Sequence, residues 1–241
     1  MKNFIDFHVH IDYYSSYQEI YKHYDQKKIY ALFVTNFPEV FKKAKRTFPD
    51  SRYVKIALGY HPEMLRIKPF NQKEFDEAFK NAEYIGEVGL DFSKPYIRYK
   101  EEQLRIFRYI CKKAASQNKI MSIHSRKAVK EVLSILKEYG VKRAVFHWYT
   151  GGIIDLKKII ERGYYLSLNP AMLKTKAGKE IIKNVPLQKI LIETDGPFSK
   201  YKSHQIRPQD IPSIYNDFEE QLGTEELRNK VFENLKRLLS D

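Results

Sequence analysis

A chain of 241 residues, 43% of them hydrophobic, is long enough to bury a substantial core, and α/β barrels of this length commonly close around one. No stretch approaches the roughly 18 uninterrupted apolar residues of a membrane span. Met1-Lys2-Asn3 runs into an apolar segment without a signal-type leader, and a lone cysteine, Cys111, excludes an internal disulfide. A cytoplasmic protein forming one domain over 1–241, with no membrane partner, is therefore expected. The formal net charge of +13, with 14 basic residues against 5 acidic ones between Asp91 and Thr150, points to a polyanion. Lysine-rich solvated helix faces would give the same composition.

The first predicted strand runs from Phe4 to Val9 and carries Asp6-Phe7-His8-Val9-His10. Side chains alternate along a strand, so Asp6, His8 and His10 share one face while Phe7 and Val9 pack on the other. Such a pair of histidines suits either a metal ion or an ordinary polar strand end. Further β-rich runs follow at Ile29 to Thr35, Tyr53 to Gly59, Tyr84 to Val88, Lys119 to His124, Lys142 to His147, Gly163 to Leu168 and Lys189 to Thr194. Helical spacing fills the intervals, as in Leu104, Phe107, Cys111, Ala114 and in Val129, Val132, Leu133, Leu136. Cys111 on that stripe reads as core. Eight βα units predict an α/β fold, a parallel (β/α)8 TIM barrel. The segment after Pro208 reads as two helices divided near Gly223-Thr224, the second bearing Leu227, Val231, Leu235 and Leu238.

Of seven histidines, five (His8, His10, His61, His124 and His147) fall at the ends of predicted strands, as do Glu87 and Asp195. A barrel gathers those ends at one mouth, where active sites of this fold are built. So many buried polar groups each need a partner or an ion. Two divalent metal ions fit best, one at His8, His10 and Asp195 and one at His124 and His147, with the Glu87 carboxylate bridging them. Gly86 and Gly89 on either side of Glu87 allow close backbone approach. Glu193 supports the site from behind. Nitrogen and oxygen donors without cysteine suit Zn, Mn, Co or Fe, and Mg less well.

These residues stand in Asp6-x-His8-x-His10, Gly59-Tyr60-His61-Pro62, Gly86-Glu87-x-Gly89-Leu90-Asp91, Ile123-His124-Ser125-Arg126, His147-Trp148-x-x-Gly151 and Glu193-Thr194-Asp195. In that order the motifs resemble the TatD family of metal-dependent deoxyribonucleases, a branch of the amidohydrolase superfamily, over nearly the whole chain. The resemblance implies His8, His10, Glu87, His124, His147 and Asp195 as metal ligands and single-stranded DNA, cut from the 3′ end, as substrate. Relatives that bridge their metals with a carboxylated lysine carry Lys on the fourth strand, where this chain has Glu87. Gly196 departs from a usual Ser, Trp148 from a small residue, Ile120 from Pro and Lys127 from an acidic residue. Those departures are similar to TatD-type nucleases encoded beside Qat anti-phage operons, which implies defence-system partner proteins.

Phosphodiester hydrolysis at a two-metal site is the expected chemistry, with Asp195 also placed to accept the water proton. His61 is either a phosphate contact or proton donor at the mouth, or a structural histidine of its turn. Arg126 suits a bidentate phosphate contact, with Lys174 and Asn169 a weaker pair after strand seven. Tyr60, Trp148 and Tyr149 are candidates for stacking on unpaired bases. Two rivals remain at this stage. One is an ester or amide hydrolase, such as a deacylase of aminoacyl-tRNA; the other is a barrel subunit without turnover.

Overall fold

In a computed structural model, which describes residues 3–240, eight parallel strands follow one another around a barrel in chain order. They are β1 Ile5–Val9, β2 Tyr30–Val34, β3 Val54–Tyr60, β4 Tyr84–Gly89, β5 Ile120–His124, β6 Ala144–His147, β7 Tyr165–Leu168 and β8 Ile190–Ile192. The helices are α1 Tyr17–Gln26, α2 Pro38–Thr47, α3 Gln72–Phe79, α4 Lys100–Ser116, α5 Val129–Glu138, α6 Ile153–Glu161, α7 Lys176–Asn184, α8 Ile211–Leu222 and α9 Leu227–Ser240. This is the (β/α)8 barrel that the alternating pattern predicts. No helix of the described residues is long and apolar enough to cross a membrane.

Burial of apolar stripes holds the helices against the strands. Val129, Val132, Leu133 and Leu136 of α5, and Leu227, Val231, Leu235 and Leu238 of α9, are all buried at the spacing read from sequence. On α4, Phe107, Cys111 and Ala114 are buried while Leu104 is only partly so, because the stripe is centred on Ile106, Phe107 and Ile110.

The seam between the last strand and the first is closed by side chains as much as by a ladder. Thr194 donates its amide to Asp6 Oδ1 at 2.8 Å and its hydroxyl to Asp6 Oδ2 at 2.7 Å, and Tyr24 donates to Asp6 Oδ2 at 2.6 Å. Beyond the strand ends, Asp195 N donates to His8 O and His10 N to Gly196 O, each at 2.8 Å. At the other end of the seam, Tyr215 of α8 bonds both the amide and carbonyl of Ile5, and Asn234 of α9 donates to Ile190 O. These contacts explain why β8 is shorter than the predicted run to Thr194. Residues 193–195 leave the regular ladder to bond Leu168 and β1, and Asp195 lines the mouth. They also assign Asp6 to the seam and leave His8 and His10 to the site.

Candidate metal centre

Seven side chains from six strands converge at the C-terminal mouth. His8 and His10 follow from β1, His61 from β3, Glu87 from β4, His124 from β5, His147 from β6 and Asp195 from the end of β8. Glu87 lies at their centre, and its two oxygens face different groups. Oε2 lies 3.4 Å from His8 Nε2 and 3.2 Å from His10 Nε2. Oε1 lies 2.8 Å from His124 Nδ1, 2.9 Å from His147 Nε2 and 3.0 Å from His61 Nε2. Asp195 Oδ1 joins the first group alone, 3.6 Å from His8 and 3.5 Å from His10.

Glycines let the Glu87 segment into this position. A Cβ at Gly89, whose φ is +147°, would lie 1.9 Å from the His124 carbonyl, and one at Gly86 would lie 2.9 Å from Ser122 Cβ. The close approach expected of both glycines is therefore used to seat β4 against β5.

The outer nitrogens of the rings determine which inner nitrogens can hold an ion. His124 Nε2 is 2.9 Å from Asp91 Oδ2, His147 Nδ1 is 3.5 Å from Glu193 Oε1, and His8 Nδ1 is 2.8 Å from Ser122 Oγ. An N–H directed at such an acceptor leaves a lone pair on the other nitrogen. The inner nitrogens face one another: His8 Nε2 and His10 Nε2 are 3.3 Å apart, as are His124 Nδ1 and His147 Nε2. Once the rings are neutral with lone pairs turned inward they have no hydrogen to share, and a cation between them removes the conflict. The donor set fits divalent metal on both sides of Glu87.

Sequence comparison gives the family, and comparison of folds agrees on the barrel. Residues 5–240 match the family model described as TatD related DNase. The chain belongs to the TatD family. It is 27% identical over 97% of both chains to an uncharacterized metal-dependent hydrolase of Bacillus subtilis, and 36% identical over 118 residues to a TATDN1 homolog of Vairimorpha ceranae. That second match spans 49% of this chain and 44% of the relative, so the chain covers about half the length of some curated relatives. The fold superposes on the crystal structure of YjjV, a TatD homolog from Escherichia coli, with a TM-score of 0.83, covering 98% of this chain and 97% of that one at 20% identity.

Within this TatD site the charges are strongly interdependent. Burial alone would raise the Glu87 carboxyl, but His61, His147 and His8 outweigh it and hold it well below the usual range. Burial also favours neutral imidazoles and prevails at His8 and His61. It is outweighed by Glu87 at His10, by Asp91 and Glu87 at His124, and by Glu87 and Glu193 at His147, and all three are raised. Burial pushes Asp195 up to about 7.

A cavity of about 770 Å³ opens over the centre, and Arg126 and Trp148 are among the residues that line it. Trp148 adopts a left-handed backbone with φ of 35°, a conformation that is costly for a large side chain.

Four expected contacts need correction. Asn169 is fully buried, accepting from Ala171 N at the start of a helical turn and donating to Glu193 and Thr194, so it braces the site from behind. The Tyr60 ring is buried between Phe37 and Phe70, and its hydroxyl donates to Lys68 O. Lys174 does not line the cavity; its ammonium donates to Lys200 O. Tyr149, likewise buried, donates to Gly152 O.

Other cavity residues were not singled out from the sequence, among them Tyr13, Asn36, Arg66 and Phe198. A signal for two of them did exist. Tyr13 and Phe198 each follow a candidate metal ligand, His10 and Asp195, by three residues.

Proposed function

We propose that this protein hydrolyses phosphodiester bonds of DNA at two divalent ions held on either side of Glu87, working from 3′ single-stranded ends. The observation that carries the reading is the division of the Glu87 carboxylate between two donor groups, His8, His10 and Asp195 on Oε2 and His124 and His147 on Oε1. Ions bound there would acidify a water molecule and neutralise charge on the phosphate oxygens. Zn, Mn and Co match these donors, with Mg a poorer match to the imidazoles.

The chain's own groups supply the rest. Asp195 stands beside His8 and His10 as the carboxylate to take a proton from the attacking water. His61 offers Nε2–H to a phosphate oxygen or to the leaving oxygen. Arg126, exposed on the cavity wall, offers a guanidinium to a neighbouring phosphate. The net charge of +13 favours encounter with a polyanion. The unpaired, buried Cys111 agrees with a cytoplasmic setting, and the barrel over 1–241 is read as the whole catalytic unit. Met1, Lys2 and Asp241 of that span lie outside the described residues.

The test is digestion of 5′- and 3′-labelled single- and double-stranded DNA and RNA with each metal, with chelator, and with Glu87→Ala. Single-stranded DNA shortened from its 3′ end, with activity abolished by chelator and by Glu87→Ala, is expected. An intact oligonucleotide together with cleavage of an aminoacyl ester would overturn the reading in favour of an ester hydrolase.

A further inference from the structure

Six large apolar side chains are exposed among the described residues, and three of them, Tyr13, Ile67 and Phe198, line the single cavity above the metal centre. Tyr13 is 45% and Phe198 53% exposed. Water-facing aromatics concentrated in a catalytic mouth need a reason, since the cost of leaving them in water is recovered only when something covers them.

The two rings form one surface built into the site. Their centroids are 4.8 Å apart in an edge-to-face arrangement, and both touch His10, Phe198 at 5.0 Å and Tyr13 at 5.8 Å. Their backbones are fixed to the same candidate ligands. Tyr13 N donates to His10 O, Phe198 N donates to Asp195 O, and His10 N donates to Gly196 O, which ties the two loops together. Asn36 donates from Nδ2 to the Tyr13 hydroxyl at 3.1 Å and so pins the ring, while its own Oδ1 is buried without a partner. An apolar corner of two rings is thereby held rigidly beside His8 and His10. Arg66 and Arg126 on other parts of the wall are placed for the phosphates on either side.

We infer that Tyr13 and Phe198 form a subsite for an unpaired nucleobase, the base of the nucleotide whose phosphate is cut. A base paired inside a duplex has both faces covered by its neighbours, and a terminal one brings its partner base with it, so the subsite favours unpaired ends. Every base has a π-face, and selection is therefore for strandedness and not for sequence. This rests on the phosphodiesterase reading above and adds to it the residues that choose the substrate.

The test compares single-stranded oligonucleotides that end in an ordinary nucleotide or in an abasic residue, using the Mn-loaded wild type, Tyr13→Leu, Phe198→Leu and the double variant. The wild type is expected to favour the ordinary end, and each variant to lose about tenfold to a hundredfold of that preference, mainly through KM. Both side chains are exposed, so thermal melting should show the variants folded. A second readout needs no hydrolysis: a terminal 2-aminopurine should lose fluorescence on binding to metal-free wild type and not to the double variant. Quenching without any DNA cleavage would sink the nuclease reading and keep the base subsite. Cleavage with equal rates on abasic and ordinary ends, and no quenching, would overturn the subsite and keep the nuclease.

Discussion

The backbone amide of Glu63 donates a hydrogen bond to Nδ1 of His61 at 3.2 Å. This reverses the pattern at the neighbouring histidines. His124 directs its outer nitrogen at the Asp91 carboxylate and so frees the inner one for a metal, and the outer nitrogen of His147 lies 3.5 Å from Glu193, whereas His61 has a donor on its outer nitrogen. A neutral ring that accepts at Nδ1 must carry its proton on Nε2, the atom facing Glu87 Oε1. Under the proposed hydrolysis that proton makes His61 the donor at the centre.

His61→Ala should therefore retain the full complement of ions while kcat falls by about 100-fold or more, the usual contribution of a positioned proton donor. Metal analysis of the purified variant beside its steady-state kinetics distinguishes the roles. Loss of one ion per chain would make His61 a ligand instead.

Ion loading should depend on pH, with a sign that follows from the same cluster. Burial opposes charge on His10, His124 and His147, but Glu87, joined by Asp91 at His124 and by Glu193 at His147, overrides it and shifts these rings toward the protonated form. Burial also holds Asp195 as an acid up to about 7. Ligation requires every one of these groups to be deprotonated, so binding expels protons and affinity rises as pH rises through neutrality. Calorimetric titration of the apo protein with Zn in buffers of different ionisation enthalpy should register net proton release below about pH 7. An affinity constant across the neutral range would contradict the charge assignment.

The departure from Ser at Gly196 has a local explanation. A Cβ there would lie 2.0 Å from the Tyr14 hydroxyl, which is held in place by donating to Ile206 O at 2.7 Å. Gly196→Ala should cost about 1–3 kcal/mol through overpacking. Adding Tyr14→Phe removes the clashing oxygen and leaves the nearest ring carbon at 3.2 Å, so the double variant should recover part of the loss. A double-mutant cycle by urea denaturation measures the coupling. Additive losses would show that the two sites are independent.

The barrel was legible because each parallel strand is a short apolar run, and because the runs end on groups that a hydrophobic interior rejects: His8, His10, His61, Glu87, His124 and His147. Asn169 misled because an amide after a strand reads equally as a substrate contact or as a cap. Only the fold shows it turned inward onto Glu193 and Thr194. Tyr60 sits beside His61 in sequence, yet strand alternation sends its ring to the opposite side, among Phe37 and Phe70. The Tyr13–Phe198 surface joins loops 185 residues apart in sequence, and no local pattern pairs them. The proton position on His61 depends on a single backbone amide, which composition and spacing do not reveal.

Asp91 would act on an ion at His124 through that ring, and its own placement comes from α4. Gln103 accepts from Asp91 N at 2.8 Å and donates to Asp91 O at 2.9 Å, clamping the loop that follows β4. Burial would raise Asp91, but hydrogen bonds from His124 and Ser93 outweigh it and hold the carboxyl at about 2, so it remains an acceptor throughout the working range. Asp91→Asn keeps the size of the side chain but removes the charge that fixes the His124 proton on Nε2. Affinity at the ion shared by His124 and His147 should fall by about 10–100-fold, as is usual when the group orienting a ligand is lost. The ion at His8 and His10, whose rings do not touch Asp91, should keep its affinity. Competition with a chromophoric chelator resolves two binding steps, of which only one should weaken. Equal weakening of both would mean that Asp91 supports the loop as a whole and does not orient His124 in particular.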